Sequence, residues 1–392
     1  MTDSSVPLGV VLRQWGRIGI TGFGGPPTHI AMLRALVVEE RGWIPADEFE
    51  AAIAACNLLP GPASTQLAIF CAHRVAGRRG AIVGGLAFIV PAVVIVLALS
   101  LLFLAGSPPL WVRGAGDGAG AAIAPVAVAA AWALLLPSAR KALSAGSYRR
   151  LRWLTYVVLG GVGAALLGPY LVLVLLVCGL VEVAVVAGPS ADRQVGVRTH
   201  GAPLLLIGAV SGAVAAGGWL ALAWEALKVG ALSYGGGFVI VPLMQHDAVH
   251  TYHWMTSAHF LNAVALGQVT PGPVVATVAA VGYAAHGVGG GVLAAAIAFA
   301  PSFTIVMLGI GHFQQLRESL RAQAFLDGAG PAAVGAILGS AIPLAEALRH
   351  GWQFGLMGAA AIALLLVRRG VLETLVAAGA IGVIAVLAGA PA

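Results

Sequence analysis

Apolar residues run along this chain in long blocks, interrupted at short intervals by glycine, proline and basic residues. The blocks cover approximately 8–38, 48–76, 80–104, 117–136, 151–167, 169–187, 202–217, 219–244, 257–285, 290–312, 326–345, 352–367 and 371–389. Apolar runs of about 20 residues predict bilayer-crossing helices. The short alternating strands that a membrane barrel needs are absent from the pattern. The expected fold is therefore all-α: a polytopic membrane protein with about 13 transmembrane segments.

The interruptions are not random. Gly19, Phe23-Gly24-Gly25, Trp43, Phe49 and Pro60-Gly61-Pro62 align without a gap on Gly230, Tyr234-Gly235-Gly236, Trp254, Phe260 and Pro271-Gly272-Pro273, 211 residues later. With one residue deleted the match continues from Gly77, Gly80, Pro91 and Asp117-Gly118-Ala119-Gly120 to Gly287, Gly290, Pro301 and Asp327-Gly328-Ala329-Gly330. A duplicated unit built on helix breakers is the mark of a secondary transporter. The domains expected are a first repeat at 1–190, a linker with one extra transmembrane helix at 191–218, and a second repeat at 219–392.

Composition sharpens the membrane assignment. Hydrophobic residues make up 59% and charged residues 9%, against roughly 25% charged in soluble domains. The opening Met1 to Val11 has no basic leader region, so no cleaved signal peptide is expected. Cys56, Cys71 and Cys178 sit in apolar blocks without CxxC spacing and read as small core residues. The net charge of +6 lies in short loops, where orientation in the bilayer explains it better than nucleic acid does.

Loop charge then sets the orientation. One crossing per block gives six spans, an extra one at 202–217, and six again, so the halves face opposite ways. With the N-terminus inside, fourteen basic residues fall in cytoplasmic loops and four (Arg34, Arg41, Arg113, Arg349) outside. An N-outside arrangement with parallel repeats, in which 48–76 and 257–285 are re-entrant hairpins, scores thirteen against five. The inverted arrangement is preferred because such repeats commonly build a midplane site between them.

Chemistry is expected at the breaks. Proline removes an amide donor and costs about 3 kcal/mol inside a helix, so Pro60-Gly61-Pro62 and Pro271-Gly272-Pro273 should each split their block into two half-helices. The second halves should begin near Ala63 and Val274. A helix start leaves backbone N–H groups free and carries partial positive charge, which suits an anion. Ser64, Thr65 and Gln66 after one break, and Thr277 after the other, can add side-chain hydrogen bonds. Asn57 and Gln268 stand three residues before each first proline. Gly24 and Gly25, like Gly235 and Gly236, permit close backbone approach. Arg17 and Lys228, at matched positions inside apolar blocks, read as anion counter-charges; snorkelling to the headgroups is the alternative.

Other polar residues read more plainly. Asp117 and Asp327 open blocks and are expected to be N-caps. Glu182 and Glu225 could carry a proton or be structural, partner-bound carboxylates. His246, His250 and His253 lie at spacings of four and three in an expected loop, without the further ligands a metal site wants. Neither a phosphate-binding loop, a dinucleotide fingerprint, HExxH nor GxSxG is present, so neither a cofactor nor an enzyme activity is expected.

Gly22-Phe23-Gly24-Gly25-Pro26 with Leu59-Pro60-Gly61-Pro62, repeated as Tyr234-Gly235-Gly236-Gly237 and Gln268-Val269-Thr270-Pro271-Gly272-Pro273, resembles the chromate ion transporter (CHR) family in its long two-domain form. The resemblance implies inverted halves and efflux of chromate across the inner membrane, giving chromate resistance, with sulfate as a related oxyanion. One departure follows the first break: Cys71-Ala72 stands where the family often has Gly-Tyr, while the second half keeps Gly282-Tyr283. The partners expected are such an oxyanion and the lipid bilayer, with a homodimer left open. A passive anion channel is the alternative function, and an integral-membrane enzyme acting on lipid phosphate a more distant one.

Overall fold

The computed structural model describes residues 6–144, 146–167, 170–187, 218–233, 237–309 and 319–391. Every regular element among them is helical. The extra helix expected at 202–217 lies outside the described residues.

The first helix, Leu8–Thr21, starts after Pro7 and stops at Gly22. It buries Val11, Trp15, Ile18 and Gly19, one stripe at helical spacing. Its counterpart, Trp219–Leu232, buries Leu222, Ala226, Val229 and Gly230, the same positions 211 residues on. Glycine is required at the end of this stripe. A side chain on Gly19 would run into the Phe88 backbone carbonyl, and one on Gly230 into that of Ala298, the equivalent residue. The Trp15 indole donates to the Ala68 carbonyl at 2.8 Å, fixing the first helix to the long helix that follows the break.

The breaks fall where the prolines place them. Helix Ala46–Leu58 ends at Leu59 (φ −85, ψ 145), and helix Ser257–Val269 ends at Thr270 (φ −86, ψ 143). Gly61 and Gly272 both take positive φ, +115 and +94. The chain restarts as helix at Ala63 in one half. In the other a single 3-10 turn, Val274–Ala276, leads into Thr277–Gly309. The widened π turn Ala35–Glu40 recurs at His246–Thr251. The three histidines therefore ride on or just after a helical turn instead of a loop.

The blocks at 48–76 and 80–104 divide where expected: within Ala63–Phe103 two helices meet at a kink at Ala76–Gly77, where the backbone leaves the helical region and Gly77 has φ 64, ψ −160. The same bend recurs at His286–Gly287, with Gly287 at φ 63, ψ −157. Asp117 and Asp327 are not N-caps. Pro109 starts helix Leu110–Ala121, and the Ser319 side chain caps Leu320–Glu346, so both aspartates lie a further two turns in.

Four described helical stretches are long and apolar enough to cross a membrane: Ala63–Phe103, Leu110–Leu143, Val274–Gly309 and Leu320–Glu346. Leu171–Val186, Gly351–Leu366 and Val371–Leu387 are shorter apolar helices. Ile82, Leu86, Val90 and Val94 form an exposed apolar stripe along the first long helix, and Val288 and Val292 begin its counterpart. Lipid is the environment that tolerates such a surface.

Leu110–Leu143 and Leu320–Glu346 are repeat-equivalent, and they run antiparallel. Asp327, near the start of one, is ion-paired to Lys141 at the end of the other. At the opposite end, Asp117 shares a cavity with Arg349 and His350, just past the end of Leu320–Glu346.

The bends are testable. A side chain added at Gly77 or Gly287 meets nothing within 4 Å, so substitution there costs backbone strain alone. Gly77→Ala and Gly287→Ala should each lose about 1–3 kcal/mol of stability. Gly355→Ala, at an open helical position, should be neutral or stabilising. Thermal unfolding in detergent of the three variants checks this.

Candidate functional site

The two breaks meet across the repeat boundary. The Gly272 N–H donates to the Gly22 carbonyl at 3.1 Å, joining the second half's Pro-Gly-Pro turn to the first half's glycine turn. The same carbonyl accepts from His29 Nε2 at 2.9 Å, which leaves His29 Nδ1 to accept from the Ser64 hydroxyl at 3.4 Å. Contacts are reciprocal. Gly61 lies against the Gly230 carbonyl and Ser302 hydroxyl, and Gly272 against the Gly19 carbonyl and Ala92 methyl, the equivalent positions.

Several buried polar atoms near the first break have no partner: Thr65 Oγ1, Gln66 Oε1 and Ser302 Oγ. Gln66 uses its amide nitrogen on the Pro60 carbonyl, at 2.6 Å, which ties the restarted helix back over the break. At the second break Gln268 Nε2 is likewise buried without a partner. An unmet buried donor or acceptor costs about 1–3 kcal/mol. Such a concentration marks a place where water or a polar cargo is accommodated.

Beside Gly61 opens a cavity of about 380 Å³. Asn57, Gly61 and Ala63 line one side; Lys141, Arg149, Arg152, Tyr156, Glu182 and Asp327 line the other. Asp327 bridges two cations, accepting from Lys141 Nζ at 2.5 Å and from the Arg149 guanidinium. Glu182, buried, accepts from Arg152 Nε at 3.0 Å and Nη2 at 3.1 Å, and from the Tyr156 hydroxyl at 2.9 Å. Three cations stand against two carboxylates, so the cavity is net positive.

A second cavity of about 600 Å³ lies at the other end of the same helices. Arg113, Asp117, His259, Asn262, Arg349 and His350 are on its wall. It too holds more basic than acidic groups, and it is built around Asp117 and Gly120 as the first is around Asp327 and Gly330. From Asp117 to Lys141 the helix rises roughly 36 Å at 1.5 Å per residue, more than the hydrocarbon core. Like-charged clefts of this kind concentrate counter-ions.

The sequence-derived residues are only partly gathered here. Asn57 and Gly61 line the first cavity. Pro60, Pro62, Ser64 and Gln66 build the turn behind it, and Pro271, Gly272, Pro273 and Thr277 build the equivalent turn. Thr277 spends its hydroxyl on the Val274 carbonyl at 2.7 Å. Gly24 and Gly25 hold positive φ between the first two helices, with Gly25 facing Val274. Gly235 and Gly236 lie outside the described residues. The Gly272 amide is taken by the Gly22 carbonyl.

The two expected counter-charges are elsewhere. Arg17 is on an exposed face of its helix, and neither it nor Lys228 lines the two cavities. Lys228 is already answered by two carboxylates, Glu225 and Asp247. The cations that do face a cavity beside a break are Lys141, Arg149 and Arg152, which sequence pattern alone counted as loop charge. A usable signal existed: Glu182 and Asp327 inside apolar blocks each demand a basic partner.

A sequence profile described as chromate transporter matches residues 10–183 and 220–386, one match per repeat. The chromate transport protein of Cupriavidus metallidurans is 31% identical over 374 residues, 94% of this chain and 91% of its own. That of Pseudomonas aeruginosa is 30% identical, over 84% of this chain and 79% of its own. The probable chromate transport protein of Synechococcus elongatus is 28% identical, over 88% and 86%. No solved structure matches. With both repeats matched and relatives aligned along nearly the whole length, this membrane protein belongs to the chromate transporter family.

Proposed function

We propose that the chain is a secondary transporter that exports chromate, and sulfate-type oxyanions of the same shape, across the cytoplasmic membrane, so conferring chromate resistance. The observation that carries this reading is the pair of net-positive cavities at opposite ends of antiparallel, repeat-equivalent helices, with interlocked backbone breaks between the halves. Equivalent helices that run antiparallel support inverted repeats, with the N-terminus in the cytoplasm. Lys141, Arg149 and Arg152 all belong to the loops assigned inside, and Arg113 and Arg349 to those assigned outside. The smaller cavity is then the cytoplasmic vestibule and the larger the external one.

A tetrahedral dianion entering the cytoplasmic vestibule competes with Asp327 for Lys141 and Arg149. The fork of a guanidinium and the point charge of an ammonium suit such an ion. A potential of 100 mV, negative inside, favours outward movement of one negative charge by about 2.3 kcal/mol and of a dianion by about 4.6 kcal/mol. Export can run on voltage, whereas uptake needs a second driving ion. The reading as a carrier and not a channel is supported by the Gly272–Gly22 hydrogen bond and the Gly61–Gly230 contact, which hold the two halves together at their breaks. Counterflow in liposomes tests it. Preloaded sulfate should drive transient accumulation of labelled chromate, and equilibration without accumulation would indicate a channel.

Neutralising the vestibule should weaken anion capture. Arg149→Gln and Lys141→Gln should each raise the half-saturating chromate concentration by tenfold or more, from about 1.5–3 kcal/mol per charge-assisted hydrogen bond. Arg17→Gln, on an exposed face, should leave it unchanged. Vesicle uptake at graded chromate checks all three.

Orientation has its own measurement. Reporter fusions should show the start of the chain in the cytoplasm and Ala392 outside, and cytoplasmic signal from both ends would exclude the inverted arrangement.

A further inference from the structure

Away from both cavities, the second half holds an ionisable cluster that the first half lacks. Glu225 and Lys228 stand one turn apart on helix Trp219–Leu232, and Asp247 faces them from the turn His246–Thr251. Lys228 Nζ is 2.6 Å from Glu225 Oε2 and also donates to Asp247 Oδ2. Glu225 is fully buried, and neither of its oxygens receives a well-directed hydrogen bond. The repeat-equivalent residues are Gln14, Arg17 and Leu36, so the first half has no carboxylate at either place.

Charge balance decides what the cluster must hold. Two buried carboxylates against one ammonium leave an excess negative charge inside an apolar helix packing, which is costly. One proton on the carboxylate pair makes the cluster neutral and gives the bare Glu225 oxygens a donor to share. Among the described residues, Lys228 is the basic group paired with Glu225. The long helix Thr277–Gly309, packed against this one, carries only Tyr283 and His286 as titratable groups, and His286 is stacked on Trp219 at 4.5 Å. From the turn, His246 Nδ1 lies 3.6 Å from Asp247 Oδ1, and the Thr251 hydroxyl donates to the same oxygen at 3.3 Å. His246 is half-buried and so links Asp247 to the surface. Tyr252, also on this side, is stacked on Trp254.

The same helix reaches the anion path. Gly230, two residues beyond Lys228, presents its carbonyl to Gly61 in the first break. A change of charge at Glu225 thus acts on an element that abuts the cytoplasmic vestibule. We propose that Glu225, with Asp247 and Lys228, is a proton-binding site, entered through His246, whose occupancy changes once in each transport cycle. The proton moves between water and the carboxylate pair, and no bond other than O–H is made or broken. This rests on the transporter reading, but the site itself can be tested without it.

Two measurements on purified protein in liposomes test the proposal. Infrared difference spectra after a pH jump should show a protonated-carboxyl band that is lost in Glu225→Gln. Asp247→Asn leaves one carboxylate balanced by Lys228 and should lose the band too, which covers the case where Glu225→Gln does not fold. In flux assays, wild-type chromate movement should change with pH by up to about tenfold per unit, the limit for one proton. It should be accompanied by proton movement seen with a trapped pH dye. Glu225→Gln should still move chromate downhill but lose both the pH dependence and the proton movement. An unchanged band in both variants, or wild-type proton coupling retained in Glu225→Gln, would overturn the proposal. Absence of chromate flux in wild type would instead overturn the transporter reading, with the infrared band still deciding the proton site.

Discussion

Backbone that leaves the helix inside a bilayer has no water to bond to, and every unusual feature of this chain answers to that constraint. Two Pro-Gly-Pro turns and the glycine turn after the first helix strand amides and carbonyls in an apolar setting. The fold resolves part of the problem by making the turns serve one another. Gly272 gives its N–H to Gly22, and His29 and Gln66 supply donors to Gly22 and Pro60. The glycines are needed because these backbones touch: Gly61 against Gly230, Gly272 against Gly19. What the turns leave unmet, at Thr65, Gln66 and Ser302, lies in the same neighbourhood as a net-positive cavity.

Charge is handled by the same economy. Cavity cations are held by carboxylates from distant parts of the chain: Lys141 and Arg149 by Asp327, Arg152 by Glu182. Glu182 is the buried carboxylate among them and holds Arg152 through two hydrogen bonds, whereas the exposed Lys141 is held more loosely. The cations nonetheless outnumber their carboxylates, and the surplus stays directed into the cavity.

The breaks were legible in the sequence because they are written in glycine and proline, whose backbone consequences are local. The restarts at Ala63 and after Pro273, and the positive φ at Gly61 and Gly272, follow from residue type alone. Side-chain roles were less legible because they depend on contacts between remote segments. Lys228 read as a free counter-charge until Asp247, nineteen positions later, came to face it. Lys141 and Arg149 read as loop charge because their partner is Asp327, far along the chain. Asp117 and Asp327 misled for a local reason: Pro109 and Ser319 start the helices earlier, and an aspartate two turns inside leaves no sequence mark of its own.

His29 has no equivalent, since Ile240 stands at the matching place in the second half. Its imidazole spans Gly22 and Ser64, so the first half's glycine turn is pinned to its own restarted helix. Any movement that parts the first glycine turn from the helix restarting at Ala63 must break this bridge, so one buried ring sets how tightly those two segments travel together.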